Sequence, residues 1–243
     1  MHKMRWIMGK HALEEVLKSE PKRFKEVLTH KQEDPLTTAL KEKGVRVQFA
    51  PKQKLTSIVQ SDSHQGFIAK VEERPFLSPK EFLKTANERS LVLMCDAIQD
   101  PQNFGSILRA AECFGVDAVI YSTNRNVALT PVVSKASVGA SELIPLIPVA
   151  NLADTLKKFQ DEGYFGVATN ASNQAEPLTG FTFPTRTLLI VGAEGPGIQP
   201  LLIKKADVHL YIPMQGAIDS LNVSQATAAI LSHWEPSPKN RAK

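Results

Sequence analysis

The chain has 243 residues, 42% of them apolar and 22% charged, the balance of a folded globular protein and not of a disordered one. No run of about 18 apolar residues reads as a membrane helix, and the opening MHKMRWIMGKHALEEVLKSE lacks the apolar core of a signal peptide, so a cytoplasmic protein without a membrane partner is expected. Six scattered histidines and two cysteines, Cys95 and Cys113, show no metal-ligand spacing and no disulfide framework, and no Walker loop or G-x-S-x-G elbow is present.

The net charge of +4 is unevenly placed: residues 1–75 hold 15 Lys and Arg against 10 Asp and Glu, the remainder 14 against 15. A basic front part suits phosphate backbones, although a lysine-rich solvated surface has the same composition. Apolar spacing predicts a helix over 10–19, a strand over 25–29, a helix over 35–43, a strand over 45–49, a helix over 53–59 and a strand over 66–71. This is a small alternating α/β unit. Two prolines, Pro75 and Pro79, break the pattern and place a linker over 76–89 with one helix over 79–85.

Beyond it, Leu91-Val92-Leu93-Met94-Cys95 reads as a buried strand, followed by a helix from Asn103 and a strand over 118–121. Further strands are expected over 143–147, 166–168, 187–191 and 209–212, with helices over 152–161 and 222–234. Strands alternating with helices predict a mostly parallel sheet covered on both faces. Cys95 and Cys113 are expected as small buried hydrophobes within a strand and a helix.

Ligands of open parallel sheets gather beyond the carboxyl ends of the strands, and three polar or glycine-rich segments fall there. They are Asp96 to Ala111, Val191 to Ile198, and Ile212 to Thr227. Each has an ordinary explanation when taken alone. Asn103 could cap its helix, and Asn222 with Gln225 has capping-box spacing. Arg109 lies three residues before Glu112, where it could form a surface pair. Gly192, Gly195 and Gly197 do not follow the dinucleotide fingerprint and could serve a tight turn, with Glu194 solvated in it.

Jointly, Asp100-Pro101-Gln102-Asn103-Phe104-Gly105-Ser106-Ile107-Leu108-Arg109-Ala110-Ala111, Gly192-Ala193-Glu194-Gly195-Pro196-Gly197, and Ile212-Pro213-Met214 through Ser220-Leu221-Asn222-Val223-Ser224 resemble the three motifs of the SpoU (TrmH) branch of the SPOUT RNA methyltransferases. Ser137-Val138-Gly139-Ala140 matches a family stretch between the first two. Gly9 to Leu17 and His64-Gln65-Gly66 are similar to an L30e-like substrate-binding domain.

The resemblance implies residues 1–75 as an L30e-like α/β RNA-binding domain and 90–243 as a parallel-sheet SPOUT methyltransferase domain closed by a trefoil knot. It implies methylation of a ribose 2′-hydroxyl in RNA, with S-adenosylmethionine as cofactor, no metal, RNA rather than DNA as partner, and a homodimer. Gly192, Ile212 and Leu221 match cofactor-binding positions, and Asn103, Arg109, Glu194, Asn222 and Ser224 match the catalytic set. A ribose hydroxyl is a poor nucleophile without a base or a positive field. Arg109 is then either the proton acceptor or a cation that clamps phosphate and stabilises the developing oxyanion. The front domain favours a guanosine of 23S ribosomal RNA over tRNA. A ribosomal adenosine methyltransferase conferring antibiotic resistance shares this plan, and a catalytically inactive RNA-binding or ribosome-assembly protein would be expected to have eroded motifs.

Overall fold

The structure is a computed structural model that describes residues 3–170, 175–193 and 195–234. In chain order its elements are β1 (Met4–Met8), α1 (Lys10–Ser19), β2 (Phe24–Thr29), α2 (Pro35–Glu42), β3 (Val47–Phe49), α3 (Lys52–Val59), β4 (Phe67–Glu72), α4 (Pro79–Thr85), β5 (Ser90–Asp96) and α5 (Pro101–Cys113). They continue with β6 (Ala118–Ser122), α6 (Pro131–Ala136), β7 (Leu146–Val149), α7 (Leu152–Asp161), β8 (Phe165–Thr169), β9 (Glu176–Pro177), β10 (Arg186–Gly192), α8 (Pro200–Lys205), β11 (Val208–Tyr211) and α9 (Val223–Leu231). Among the described residues no helix is long and apolar enough to cross a membrane.

Two compact units result. The first takes in the residues up to Pro75 together with Phe104–Arg109 and Ala128–Leu143. Its four-stranded sheet has the order β1-β4-β2-β3, with β4 antiparallel to both neighbours and β2 parallel to β3. Leu13 and Val16 of α1 and Leu36 and Leu40 of α2 pack on one face against Ile7, Val27 and Phe67, while Leu55 and Val59 of α3 cover Met8, Leu28 and Ile68 on the other. Strand β1 was not expected, because MRWIM is short and mixes a charge into its alternation.

Helix α6 was not expected either, since PVVSKA carries two β-branched residues. Thr130 caps it through Val133 N and Pro131 occupies its first turn, so the start is fixed by capping and not by propensity. Buried Ser134 ties it to β1 by accepting from Met8 N at 3.0 Å. Gly105 of α5 lies close against α6: a Cβ there would stand 2.5 Å from that of Ala136. The 3-10 turn Ala140–Glu142 follows, and it moves the next strand from the expected 143–147 to Leu146–Val149.

At this turn buried Glu142 lies between half-buried Arg5 and buried Arg23: Arg5 donates through Nη2 to Oε1, and Arg23 through Nη2 to Oε2 at 2.9 Å. Arg74 Nη1 donates to the Glu142 carbonyl at 2.7 Å. Burial by itself would raise the Glu142 pKa, but Arg5 and Arg23 outweigh it and hold the carboxyl below its usual range.

The second unit comprises Phe76–Asn103, Ala110–Val127 and the chain from Ile144 onward. Its seven strands run in the order β7-β6-β5-β10-β8-β11-β9, and every pairing is parallel. All seven residues of β5 are buried, as a central parallel strand requires. Phe82 of α4 stacks on Phe159 of α7, which meets Tyr164 edge to face, and these rings cover one face of the sheet. From β5 the chain steps outward to β6 and β7, then crosses to β8, and β10 inserts between β5 and β8. The order therefore reverses at the β5–β10 pair, where parallel sheets place their ligands. Cys95 is buried as expected, whereas Cys113, at the last position of α5, is exposed.

Glu142→Ala should lower the unfolding free energy by about 3–5 kcal/mol, because it leaves two guanidinium groups uncompensated; urea denaturation measures this. A carboxyl held below its unfolded pKa stabilises the fold above that pKa, and the contribution disappears as pH falls through the folded value. Glu142→Gln should therefore flatten the loss of stability as pH falls below the usual glutamate range, relative to the unaltered protein.

Candidate active site at the carboxyl ends of the parallel strands

Strand β5 ends on Asp96, which is fully buried. An unpaired buried carboxylate would be costly, and here Gln199 supplies its partners: the Gln199 backbone N donates to Oδ2 at 2.7 Å and Nε2 to Oδ1 at 2.8 Å. The Asp96 carbonyl accepts from Ala193 N at 3.1 Å, and Gly192 stands beside Asp96 in the parallel register. The loops after β5 and β10 are thereby fastened together.

After Gly192 the chain doubles back on itself. Gly197 N donates to the Ala193 carbonyl at 3.0 Å, with Gly197 at a φ of 67° that favours glycine. A Cβ on Gly192 would lie 2.4 Å from the Gly197 carbonyl carbon, so only glycine permits this return. The glycines do serve a tight turn. Glu194 lies outside the described residues.

The third segment joins through Asn222, the N-cap of α9. Its Oδ1 accepts from Ser224 N at 2.9 Å and Ser224 Oγ at 2.6 Å, while its Nδ2 donates to Asn103 Oδ1 at 2.9 Å. The cap acts on Ser224 and not on the expected Gln225. Asn103 does not cap α5, which begins at Pro101: Asp100 does so, accepting from Gln102 N at 3.1 Å and Asn103 N at 3.3 Å. Among the described residues nothing accepts from the Asn103 amide nitrogen.

Two clefts open here. One of about 560 Å³ is lined by Thr169 and Asn170 at the end of β8, by Val191, Gly192, Ala193, Gly195, Gly197 and Ile198, and by the segment Ser220–Val223. A second, of about 350 Å³, is formed by Ala97–Asp100, Asn103 and Arg125, and shares Ala193 and Val223 with the first. Of the expected cofactor positions, Gly192 and Leu221 line the larger cleft. Ile212 lies one residue past β11 and is not among the lining residues. Arg109 is exposed on α5, six residues or about 9 Å along the axis from Asn103, and does not pair with Glu112. Asp96, Gln199 and Arg125 escaped the sequence reading. A carboxylate at the end of an apolar run was a usable signal for Asp96; nothing local marks the other two.

Residues 90–232 match the SpoU rRNA Methylase family. The chain belongs to that family. Residues 6–77 match the RNA 2′-O ribose methyltransferase substrate binding family, so the SpoU methylase match is preceded by a second one. The SpoU chain is 38% identical over 232 residues to the 23S rRNA (guanosine-2′-O-)-methyltransferase RlmB of Salmonella typhimurium, covering 93% of this chain and 95% of that protein. It is 34% identical to the putative TrmH family tRNA/rRNA methyltransferase YacO of Bacillus subtilis, with 93% of each chain covered. Its fold is similar to that of the SpoU methyltransferase AviRb from Streptomyces viridochromogenes in complex with AdoMet, with a TM-score of 0.76, 22% identity, and 94% and 88% of the two chains covered.

Asn222→Ala should destabilise this SpoU protein by about 1 kcal/mol through loss of the α9 cap, readable by thermal denaturation. Gly192→Ala should cost more, about 1–3 kcal/mol, because its added methyl meets backbone that cannot move aside without opening the turn.

Proposed function

We propose that this chain transfers a methyl group from S-adenosylmethionine to the 2′-hydroxyl of a ribose in RNA, with a guanosine of 23S ribosomal RNA as the target. The observation that carries the reading is the Asn222–Asn103 hydrogen bond, which joins the first and third motifs at the rim shared by the two clefts. The names of the similar RlmB and YacO proteins supply the substrate class, with rRNA favoured.

The larger cleft suits the cofactor. Val191, Ile198 and Leu221 offer apolar surface to a flat purine, and Asn170, Ser220 and main-chain groups of the glycine turn offer polar partners to ribose and amino-acid groups. When bound, S-adenosylmethionine supplies a methyl group made electrophilic by its sulfonium. The protein's task is the hydroxyl. Asn103, oriented by Asn222 and in turn by Ser224, has an amide N–H group available to fix the ribose oxygen. Arg109, whose guanidinium offers N–H donors and no acceptor, is assigned to hold phosphate and stabilise the developing oxyanion, with the hydroxyl proton passing to solvent water. Glu194 belongs to the same proposed set.

The proposal extends to the organisation of the protein: residues 1–75 as the RNA-binding domain, 76–89 as the linker, and 90–243 as a methyltransferase domain with a trefoil-knotted path. It takes the protein to act in the cytoplasm as a homodimer.

Incubation with labelled S-adenosylmethionine and separated rRNA and tRNA from cells lacking the gene should label a ribose of 23S rRNA. Label confined to tRNA would overturn the substrate, and no label in either pool would overturn the activity. Arg109→Ala should lower transfer at least about 100-fold while leaving cofactor affinity within about twofold, as expected of a group acting on the transition state.

A further inference from the structure

We infer that the cavity bounded by Ala97–Asp100, Asn103 and Arg125 holds the nucleoside to be methylated, and that the Arg125 guanidinium takes a phosphate flanking that ribose. The inference rests on the RNA-methylation reading and adds to it the place of the substrate and a residue that grips it.

Position is the first argument. A hydroxyl attacked onto a neighbouring methyl group must lie within about 3–3.5 Å of it, so the target ribose has to enter a space that adjoins the cofactor cleft. The 350 Å³ cavity shares Ala193 and Val223 with that cleft, and Asn103 stands on its wall. Its volume falls at the small end of the range for small-ligand sites, roughly 300–1,000 Å³.

The wall is also braced. Ala97 sits at a φ of 59°, a left-handed conformation that a non-glycine residue adopts only when its surroundings hold it there. Ile98 N donates to Asn126 Oδ1 at 3.3 Å and the Ile98 carbonyl accepts from Val127 N at 2.9 Å, which pin the segment after β5 to the segment bearing Arg125. The strain and the double tether fix this wall of the cavity.

Arg125 supplies the charge. Its Nε lies 3.8 Å from Asp96 Oδ1, beyond hydrogen-bond distance, and both Asp96 oxygens already accept from Gln199. The buried carboxylate thus draws the guanidinium to the mouth of the cavity without consuming its donors. The side chain is 45% exposed, among the described residues no acceptor takes its N–H groups, and such a planar fork is the usual means by which proteins take a phosphate. Asp100 contributes little repulsion, since its carboxylate is occupied by the first N–H groups of α5.

The test compares full-length unaltered protein, Arg125→Ala and Arg125→Lys on rRNA from cells lacking the gene. Arg125→Ala should raise the KM for RNA about tenfold, with kcat and S-adenosylmethionine affinity within about twofold. The slope of log RNA affinity against log salt should become shallower by about 0.7–0.9, the loss of one phosphate contact. Arg125→Lys should restore the slope and part of the KM. An unchanged RNA KM and salt slope in Arg125→Ala would overturn the inference while leaving the methylation reading intact. An equal loss of cofactor affinity would also overturn it, by assigning Arg125 to the support of Asp96. Failure of the unaltered protein to methylate either RNA pool would remove the underlying reading and this inference with it.

Discussion

A buried carboxylate at the end of a central strand is the constraint on which the rest of this site depends. Asp96 is shielded from water and needs hydrogen-bond donors from the protein. Gln199 provides two, from a residue 103 positions later in the chain. With the Asp96 carbonyl also engaged by Ala193 N, the two central strands are closed at their carboxyl ends by polar contacts that tolerate little displacement. The glycine turn follows directly from that closure. The main chain has to leave β10, turn back within van der Waals contact of itself at Gly192, and deliver Gln199 beneath Asp96, all within seven residues.

The second layer of organisation is a relay of small amides and a hydroxyl. Ser224 orients Asn222, Asn222 orients Asn103, and each bond joins segments that are separate in the sequence or turn it at a helix end. Such a relay exchanges one local function for two, since Asn222 caps α9 with its oxygen while reaching across to α5 with its nitrogen. Capping and site-building are therefore not competing explanations of Asn222. For Asn103 they are: Asp100 and Pro101 start the helix, which leaves the Asn103 side chain to the site.

How much of this was legible in the sequence depended on whether the signal was local. The run from Leu91 to Cys95 announced a central parallel strand, and the alternation of strands and helices announced the sheet. Strand β1 was missed because a five-residue segment with an arginine as its second residue acquires its partner only from β4, sixty or more residues away. Helix α6 was missed because its β-branched residues argue for a strand, and the cap at Thr130 prevailed. The displaced start of β7 follows from Glu142, whose burial requires a turn where an apolar pattern suggested extended chain. In the site, the polar residues of the three motifs stood out only through family resemblance; periodicity gave each a bland role. The partnership of Asp96 with Gln199 had no local trace. Arg125 had none either, for it lies in the turn after β6 and is drawn to a carboxylate at the end of β5.

The triad of Arg5, Arg23 and Glu142 bears on how far the chain is modular. The family matches end and begin at residues 77 and 90, suggesting two pieces that could be exchanged independently. Yet Glu142 falls within the second match, while of the guanidinium groups that neutralise it Arg23 comes from the first match and Arg5 stands one residue ahead of it. A chimera that grafted a foreign front domain onto this chain would strand a carboxylate in apolar surroundings unless the donor happened to carry arginines at both places. Exchange of the front part of this chain is thus restrained by one ion triad, and replacing Glu142 with a neutral residue leaves Arg5 and Arg23 without their carboxylate.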